Sequence, residues 1–136
     1  MNTSESNQLI EAFVRGPLSC NCPDKVFEKI EQIDSPVEFA DLATNNLIKI
    51  GGILVLLTLH VDDWQSLQAE LQGIFERGIQ LRDEMGYNRF RLVIATPDTK
   101  NATPALTQQF ESFSAMDEKI HLHVVTPEEL PQARSN

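Results

Sequence analysis

Residues 47–59 read Leu-Ile-Lys-Ile-Gly-Gly-Ile-Leu-Val-Leu-Leu-Thr-Leu, and this segment predicts the centre of the fold. Two apolar runs flank Gly51 and Gly52. Both glycines can adopt the positive φ angles that the tightest β-turns require, so the pattern predicts a β-hairpin. The second run, Ile53 to Leu59, is apolar at nearly every position. We therefore expect it to be an interior strand that is covered on both faces.

The sequence after the hairpin alternates between helix and strand patterns. Asp62 or Asp63 can cap a long helix that runs to about Met85 and is ended by Gly86. The other predicted elements are strands at Phe90 to Ala95 and Ile120 to Val125, a helix opened by Thr103-Pro104, and a short last helix started by the capping box Thr126-Pro127-Glu128-Glu129. Residues 53–125 therefore predict a β-α-β-α-β unit with parallel strands and right-handed connections.

Two helices are predicted before the hairpin. The first covers residues 5–15, whose apolar stripe is followed by the helix-stopping pair Gly16-Pro17. The second begins at Pro23, which suits a first helical position, and is closed by Ser35-Pro36. Its predicted apolar face comprises Val26, Phe27, Ile30 and Ile33.

These elements together predict an α/β fold with a three-layer arrangement. We expect a mixed sheet of four to five strands, with a β-hairpin followed by a βαβαβ unit and two N-terminal helices. The whole chain, residues 1–136, is expected to form a single domain. Residues 1–4 and 132–136 are expected to be disordered.

Composition restricts the classes of partner. The 136 residues include 41% hydrophobic and 23% charged side chains, which is typical of a globular protein. The formal charge of -9 argues against nucleic acid or an anionic membrane surface as the main partner. The longest apolar run, Ile53 to Leu59, is too short to span a bilayer as a helix. With two cysteines and no secretory signal, the predicted location is cytoplasmic.

The turn Cys20-Asn21-Cys22-Pro23 is the most chemically suggestive motif. Cys22 falls at the predicted N-cap of the second helix, where backbone N–H groups favour a thiolate. The two thiols could form an easily reduced disulfide, or bind zinc or copper. Alternatively, both cysteines simply pack in the interior, as free cysteines often do. Apart from that metal ion, the sequence predicts no cofactor.

His121 and His123 are weaker metal candidates. They lie two residues apart on a predicted strand and therefore point to the same face. Together with Cys20 and Cys22 they would form a Cys₂His₂ ligand set. The alternative, which we favour, is the half-exposed face of an edge strand with Ile120, Leu122 and Val124 turned toward the core.

The carboxyl ends of the predicted parallel strands are a weaker candidate pocket, because ligands of open α/β sheets bind there. His60 and Asp62 follow one strand, and Asp98 follows the next. A histidine near carboxylates could perform acid–base chemistry or hold a cation. Helix capping and turn formation explain the carboxylates equally well.

Arg89 and Arg91 share one face of a predicted strand, and a small anion could bind beside them. They lie near the amino end of that strand, which is the edge that ligands of parallel sheets avoid. With Arg77 and Arg82 on the preceding helix, we interpret them as a solvated surface that is partly paired with Glu76, Asp83 and Glu84.

Two functional classes remain. The sequence lacks a phosphate-binding loop, a dinucleotide fingerprint, a Gly-x-Ser-x-Gly elbow and a His-Glu-x-x-His motif. We favour a non-enzymatic protein-interaction or regulatory module that binds another protein or a second copy of itself. The acidic N-terminal helices or a sheet edge near Leu47 to Ile50 would form its surface. The alternative is a thiol redox or metal-binding module that uses Cys20 and Cys22; a hydrolase using His60 and Asp98 is a distant third.

Overall fold

A computed structural model describes residues 10–16, 29–34, 45–112 and 119–129 of the chain. It confirms a mixed α/β fold built on a five-stranded mixed sheet. The strands are β1 (Ile30–Asp34), β2 (Asn45–Ile50), β3 (Leu54–His60), β4 (Arg89–Ala95) and β5 (Ile120–Val125). The helices are α1 (residues 10–15), α2 (Trp64–Leu67), α3 (Leu71–Met85) and α4 (Thr99–Glu111), followed by a 3-10 turn at Pro127–Glu129.

The strand order across the sheet is the same as the order along the chain, from β1 to β5. β1, β2 and β3 pair antiparallel, whereas β3, β4 and β5 pair parallel through helical crossovers. Gly51 and Gly52 join β2 to β3 with φ angles of 61° and 70°, which a side chain would oppose. The hairpin loop includes Ile53, so β3 begins one residue later than the sequence suggests.

Side chains from the two faces of the sheet enter two separate apolar clusters. On the α3 face, Phe90, Leu92 and Ile94 of β4 pack with residues of α3 and α4. On the α1 face, Val93 and Ala95 of β4 pack with Ile10, Phe13 and Val14, which are at most 3% exposed. β3 contributes to both clusters and is buried from Leu54 to Leu59, as expected for an interior strand.

α3 lies close to the sheet because Gly78 has no side chain. A Cβ atom at this position would overlap the ring of Phe90. That ring also meets Phe75 edge-on, with the two centroids 5.8 Å apart. α3 ends at Gly86, whose φ of 72° gives the left-handed termination predicted from the sequence.

The predicted second N-terminal helix is wrong in its last part. Ile30–Asp34 form the edge strand β1, which pairs antiparallel with β2 from Ile30↔Ile50 to Asp34↔Asn46. The backbone of β2 offers a complete row of hydrogen-bonding groups, and tertiary pairing outweighs a local helical pattern. The start of that helix, residues 23–28, and residues 5–9 of the first helix lie outside the described residues.

The predicted helix limits after β3 also need correction. The long helix from Asp62 or Asp63 is split into α2 and α3 by a turn at residues 68–70. α4 begins at Thr99, since the first helical bond runs from Ala102 N–H to the carbonyl of Asp98. Pro104, predicted to lie at the start of the helix, is therefore inside it. The predicted last helix starts as a 3-10 turn at Pro127–Glu129, and the residues after it lie outside the described part of the chain. Among these described elements, no helix is long and apolar enough to cross a membrane.

Candidate functional site

Four side chains from β4 and β5 form a row on the α1 face. Arg89 and Arg91 alternate with core residues along β4, and His121 and His123 do so along β5. The parallel register places Arg91 opposite His121 and Val93 opposite His123. All four side chains are partly buried. We call Arg89, Arg91, His121 and His123 the Arg-His cluster.

Each arginine in the Arg-His cluster contacts the β5 histidine that lies two residues beyond the arginine's own position in the strand register. Nη1 of Arg89 lies 3.0 Å from Nε2 of His121, and Nη1 of Arg91 lies 2.9 Å from Nε2 of His123. A guanidinium can only donate hydrogen bonds, so each histidine accepts through Nε2 and carries its ring proton on Nδ1. The cluster therefore combines two cations with two neutral imidazoles.

The electrostatics keep both histidines neutral. Burial, and then the positive charge of Arg91, lowers the pKa of His121, and the same causes lower the pKa of His123 to about 4. Burial also lowers the pKa of Arg91, with a further contribution from Arg89. A guanidinium nevertheless stays charged in proteins.

Among the described residues, the two positive charges of the cluster have no acidic partner. Across the described ranges, no carboxylate forms an ion pair with Arg89 or Arg91. Nε of Arg91 is buried and has no hydrogen-bond partner in that part of the chain. The cluster therefore carries positive charge that no described carboxylate neutralises, and guanidinium groups bind anions well.

The outer edge of the sheet lies directly beside this cluster. Phe90 N–H donates to the carbonyl of Lys119, and Thr96 N–H donates to the carbonyl of Val125. These two hydrogen bonds lie at the two ends of the β4–β5 ladder. In a parallel ladder the intervening peptide groups alternate in direction. Ile120, Leu122 and Val124 therefore direct their backbone groups away from β4, toward an edge that no described strand covers.

The candidates at the carboxyl ends of the strands have mainly structural partners. Asp98 is the N-cap residue of α4; its carboxylate accepts from Asn101 Nδ2 at 3.0 Å and from Trp64 Nε1 at 3.4 Å. The hydrogen bond from Asn101 is the main reason that the pKa of Asp98 is lowered. His60 ends β3 and pairs with Ala95, whose side chain lies on the α1 face.

Asp63 rather than Asp62 caps the helix after β3. Its carboxylate accepts from Gln65 N–H at 3.2 Å and from Ser66 Oγ at 2.7 Å. The hydrogen bond from Ser66 is the largest cause of the lowered pKa of Asp63. Asp62 is exposed beside it. Among the described residues, no hydrogen bond joins His60, Asp62 and Asp98 to one another.

The metal candidates divide between described and undescribed parts of the chain. Cys20 and Cys22 lie outside the described residues. In the cluster, the Nε2 lone pairs of His121 and His123 already accept from arginines, whose charges oppose a cation. Within the described segments, no group of three or more His, Cys, Asp or Glu side chains is placed to hold a metal ion.

Two sequence-based interpretations of surfaces need correction. Arg82 is buried on α3 and pairs with Asp83 at 2.9 Å, so it belongs to the α3 face and not to the surface of Arg89 and Arg91. The expected sheet edge near Leu47 to Ile50 is interior, because β2 pairs with both β1 and β3. The sheet edges are β1 and β5.

The sequence analysis missed the contact between the arginines and the histidines. The available signal was the matching two-residue spacing on strands predicted to be parallel neighbours. Comparisons with protein-family models, with curated proteins and with solved structures find no match to this chain.

Proposed function

We propose that this chain is a small cytoplasmic, non-enzymatic protein-interaction or regulatory module whose partner binds along the outer edge of β5. The observation that carries the proposal is the outward direction of the peptide groups of Ile120, Leu122 and Val124. Such groups are a template for pairing with an extended segment of another chain.

Side chains on the same strand support a protein partner. Leu122 and Val124 pack against the cluster on the α3 face but remain partly exposed. A strand added beside β5 would cover them while its backbone pairs with the edge. Each added ladder hydrogen bond would contribute roughly 0.5–1.5 kcal/mol, so a few pairs plus apolar contact yield useful affinity.

The test compares two substitutions at one edge position. Leu122→Pro removes an outward N–H group, and proline is tolerated at edges where that group faces solvent. Leu122→Ala loses similar packing but keeps the N–H group, so it is the matched control. With a partner captured on the wild-type chain and then purified, we expect L122P to weaken binding about tenfold more than L122A does.

Hydrogen exchange provides the second readout. In the complex, the amides of Ile120, Leu122 and Val124 should become protected, while exposed amides of α4 such as Lys100 keep their exchange rates. Equal binding by L122P and L122A, together with unprotected β5 amides, would show that the partner binds elsewhere. Circular dichroism establishes that each variant is folded.

The alternative function is a thiol redox or metal-binding module that uses the Cys20-Asn21-Cys22-Pro23 turn. Its support is the sequence pattern of two thiols one residue apart, followed by a proline suited to a helix start. Cys22→Ser would abolish the activity of such a module. The same substitution should leave edge binding unchanged in an interaction module.

A further inference from the structure

We infer that the Arg-His cluster selects the partner's chemistry: it binds an extended segment in which acidic and apolar residues alternate. This inference rests on the edge pairing at β5 proposed above and adds the class of segment that pairs there. The two faces of β5 differ in character, and an added strand would continue both of them.

The geometry of the sheet determines which side chains would meet. Neighbouring strands lie about 4.8 Å apart, and successive side chains of a strand point to opposite faces. Alternate residues of an added strand would therefore lie beside His121 and His123 on the α1 face. The intervening residues would lie beside Leu122 and Val124 on the α3 face.

The cations lie beside the β5 side chains that an added strand would neighbour. Nη1 of each arginine lies at hydrogen-bond distance from a β5 imidazole, so each guanidinium group is next to His121 or His123. Each guanidinium has five N–H donors, and Arg89 and Arg91 remain partly exposed. Carboxylates are strong acceptors for such groups.

The spacing of the two arginines favours two carboxylates over one small anion. Arg89 and Arg91 are two residues apart on β4, which corresponds to about 6.5–7 Å along a strand. Acidic side chains two residues apart on an extended segment have the same spacing. An acidic segment is complementary in charge to the two neighbouring arginines of this row.

The experiment uses the full chain and three probes: a short peptide in which glutamate and valine alternate, the same peptide with glutamine in place of glutamate, and inorganic phosphate. Calorimetric titration at low and physiological salt measures each affinity. We expect the glutamate peptide to bind at least about tenfold tighter than the glutamine peptide, with a preference that shrinks as salt increases.

Variants locate the preference. Arg91→Gln and Arg89→Gln, tested separately, should each reduce the preference for glutamate, while the glutamine peptide binds as before. Lys100→Gln removes one positive charge from exposed α4 and is the matched control, which should keep the preference. L122P should weaken the binding of both peptides, since it acts on the backbone edge.

The outcomes separate this inference from the proposed function. Equal binding of both peptides that L122P weakens would overturn the acidic preference and leave edge pairing in place. Phosphate binding that R91Q abolishes, without peptide binding, would make the cluster a small-anion site and overturn the inference. Self-association of the wild-type chain that R91Q abolishes, without peptide binding, would overturn it in favour of a second copy.

Discussion

Nη1 of Arg91 donates to Nε2 of His123 across two neighbouring parallel strands, over a distance of 2.9 Å. This bond requires a neutral imidazole, because a protonated ring has no lone pair to accept it. It also leaves the charge of Arg91 without an acidic partner within the described parts of the chain. The pair therefore links the stability of the sheet to pH.

Acid should destabilise the fold through His123. Its pKa is about 4 in the folded chain and near 6.5 when unperturbed, so the unfolded chain binds more protons between these values. The free energy of unfolding should fall as the pH drops from about 6.5 toward 4. Urea unfolding midpoints measured across this range check the effect.

Two variants separate this contribution from general acid denaturation. His123→Gln keeps an acceptor for Arg91 and should flatten the pH dependence. Gln72→Ala on the exposed side of α3 removes no titratable group and should keep the wild-type slope. An H123Q chain with the wild-type slope would contradict the assignment of the effect to His123.

Replacing Arg91 with methionine should not destabilise the protein. The substitution removes a partly buried charge that has no acidic partner within the described segments and is repelled by Arg89. We expect the free energy of unfolding to stay the same or to rise by up to about 1 kcal/mol. Residues that serve binding often cost stability, so their replacement by an apolar residue can stabilise a protein. Arg82→Met is the comparison: it breaks a contact with Asp83 and should cost about 1 kcal/mol. A larger loss for R91M than for R82M would indicate a purely structural arginine.

Adding one methyl group at Gly78 should disrupt the contact between α3 and the sheet. Its Cβ would overlap the ring of Phe90, so Gly78→Ala should lower the free energy of unfolding by about 1–3 kcal/mol. Gly73→Ala on the same helix meets no atom within 4 Å and should raise it by about 0.5–1 kcal/mol. Denaturant titration measures both. Similar effects of the two substitutions would contradict the close packing at Gly78.

Native mass spectrometry distinguishes the two functional classes. For an interaction module, protein purified without chelator or reductant should be metal-free, with Cys20 and Cys22 both reduced. Zinc or copper that is lost on denaturation, or a mass about two units low that reductant restores, would instead support the thiol module. In the first case, Cys22→Ser should leave binding of the glutamate peptide unchanged.

Local patterns were sufficient for the centre of the fold. The apolar run from Ile53 to Leu59 predicted an interior strand, and Leu54 to Leu59 are buried. Gly51-Gly52 predicted the turn before it, and Gly86 predicted the end of α3. Each of these signals is local: a run with no polar face, or a backbone conformation that favours glycine.

Local patterns were insufficient where a distant partner decided the outcome. Ile30 and Ile33 have a spacing that fits a helix, yet their segment forms β1 because β2 supplies a complementary backbone edge. Asp62 and Asp63 were equivalent capping candidates, and only the contacts with Gln65 and Ser66 identify Asp63. In both cases, the deciding hydrogen bonds could not be assigned from local composition alone.

Sequence patterns alone predict the alternation of helices and strands, the hairpin, and the shared face within each of the pairs Arg89/Arg91 and His121/His123. The contact between these two pairs follows only from the tertiary structure. A periodic pattern orients side chains within one strand, whereas the register between strands depends on how the crossovers pack against the sheet. Each arginine is 32 residues away in the chain from the histidine that it contacts. The register of β4 with β5 brings the arginine Nη1 within 3.0 Å of the histidine Nε2.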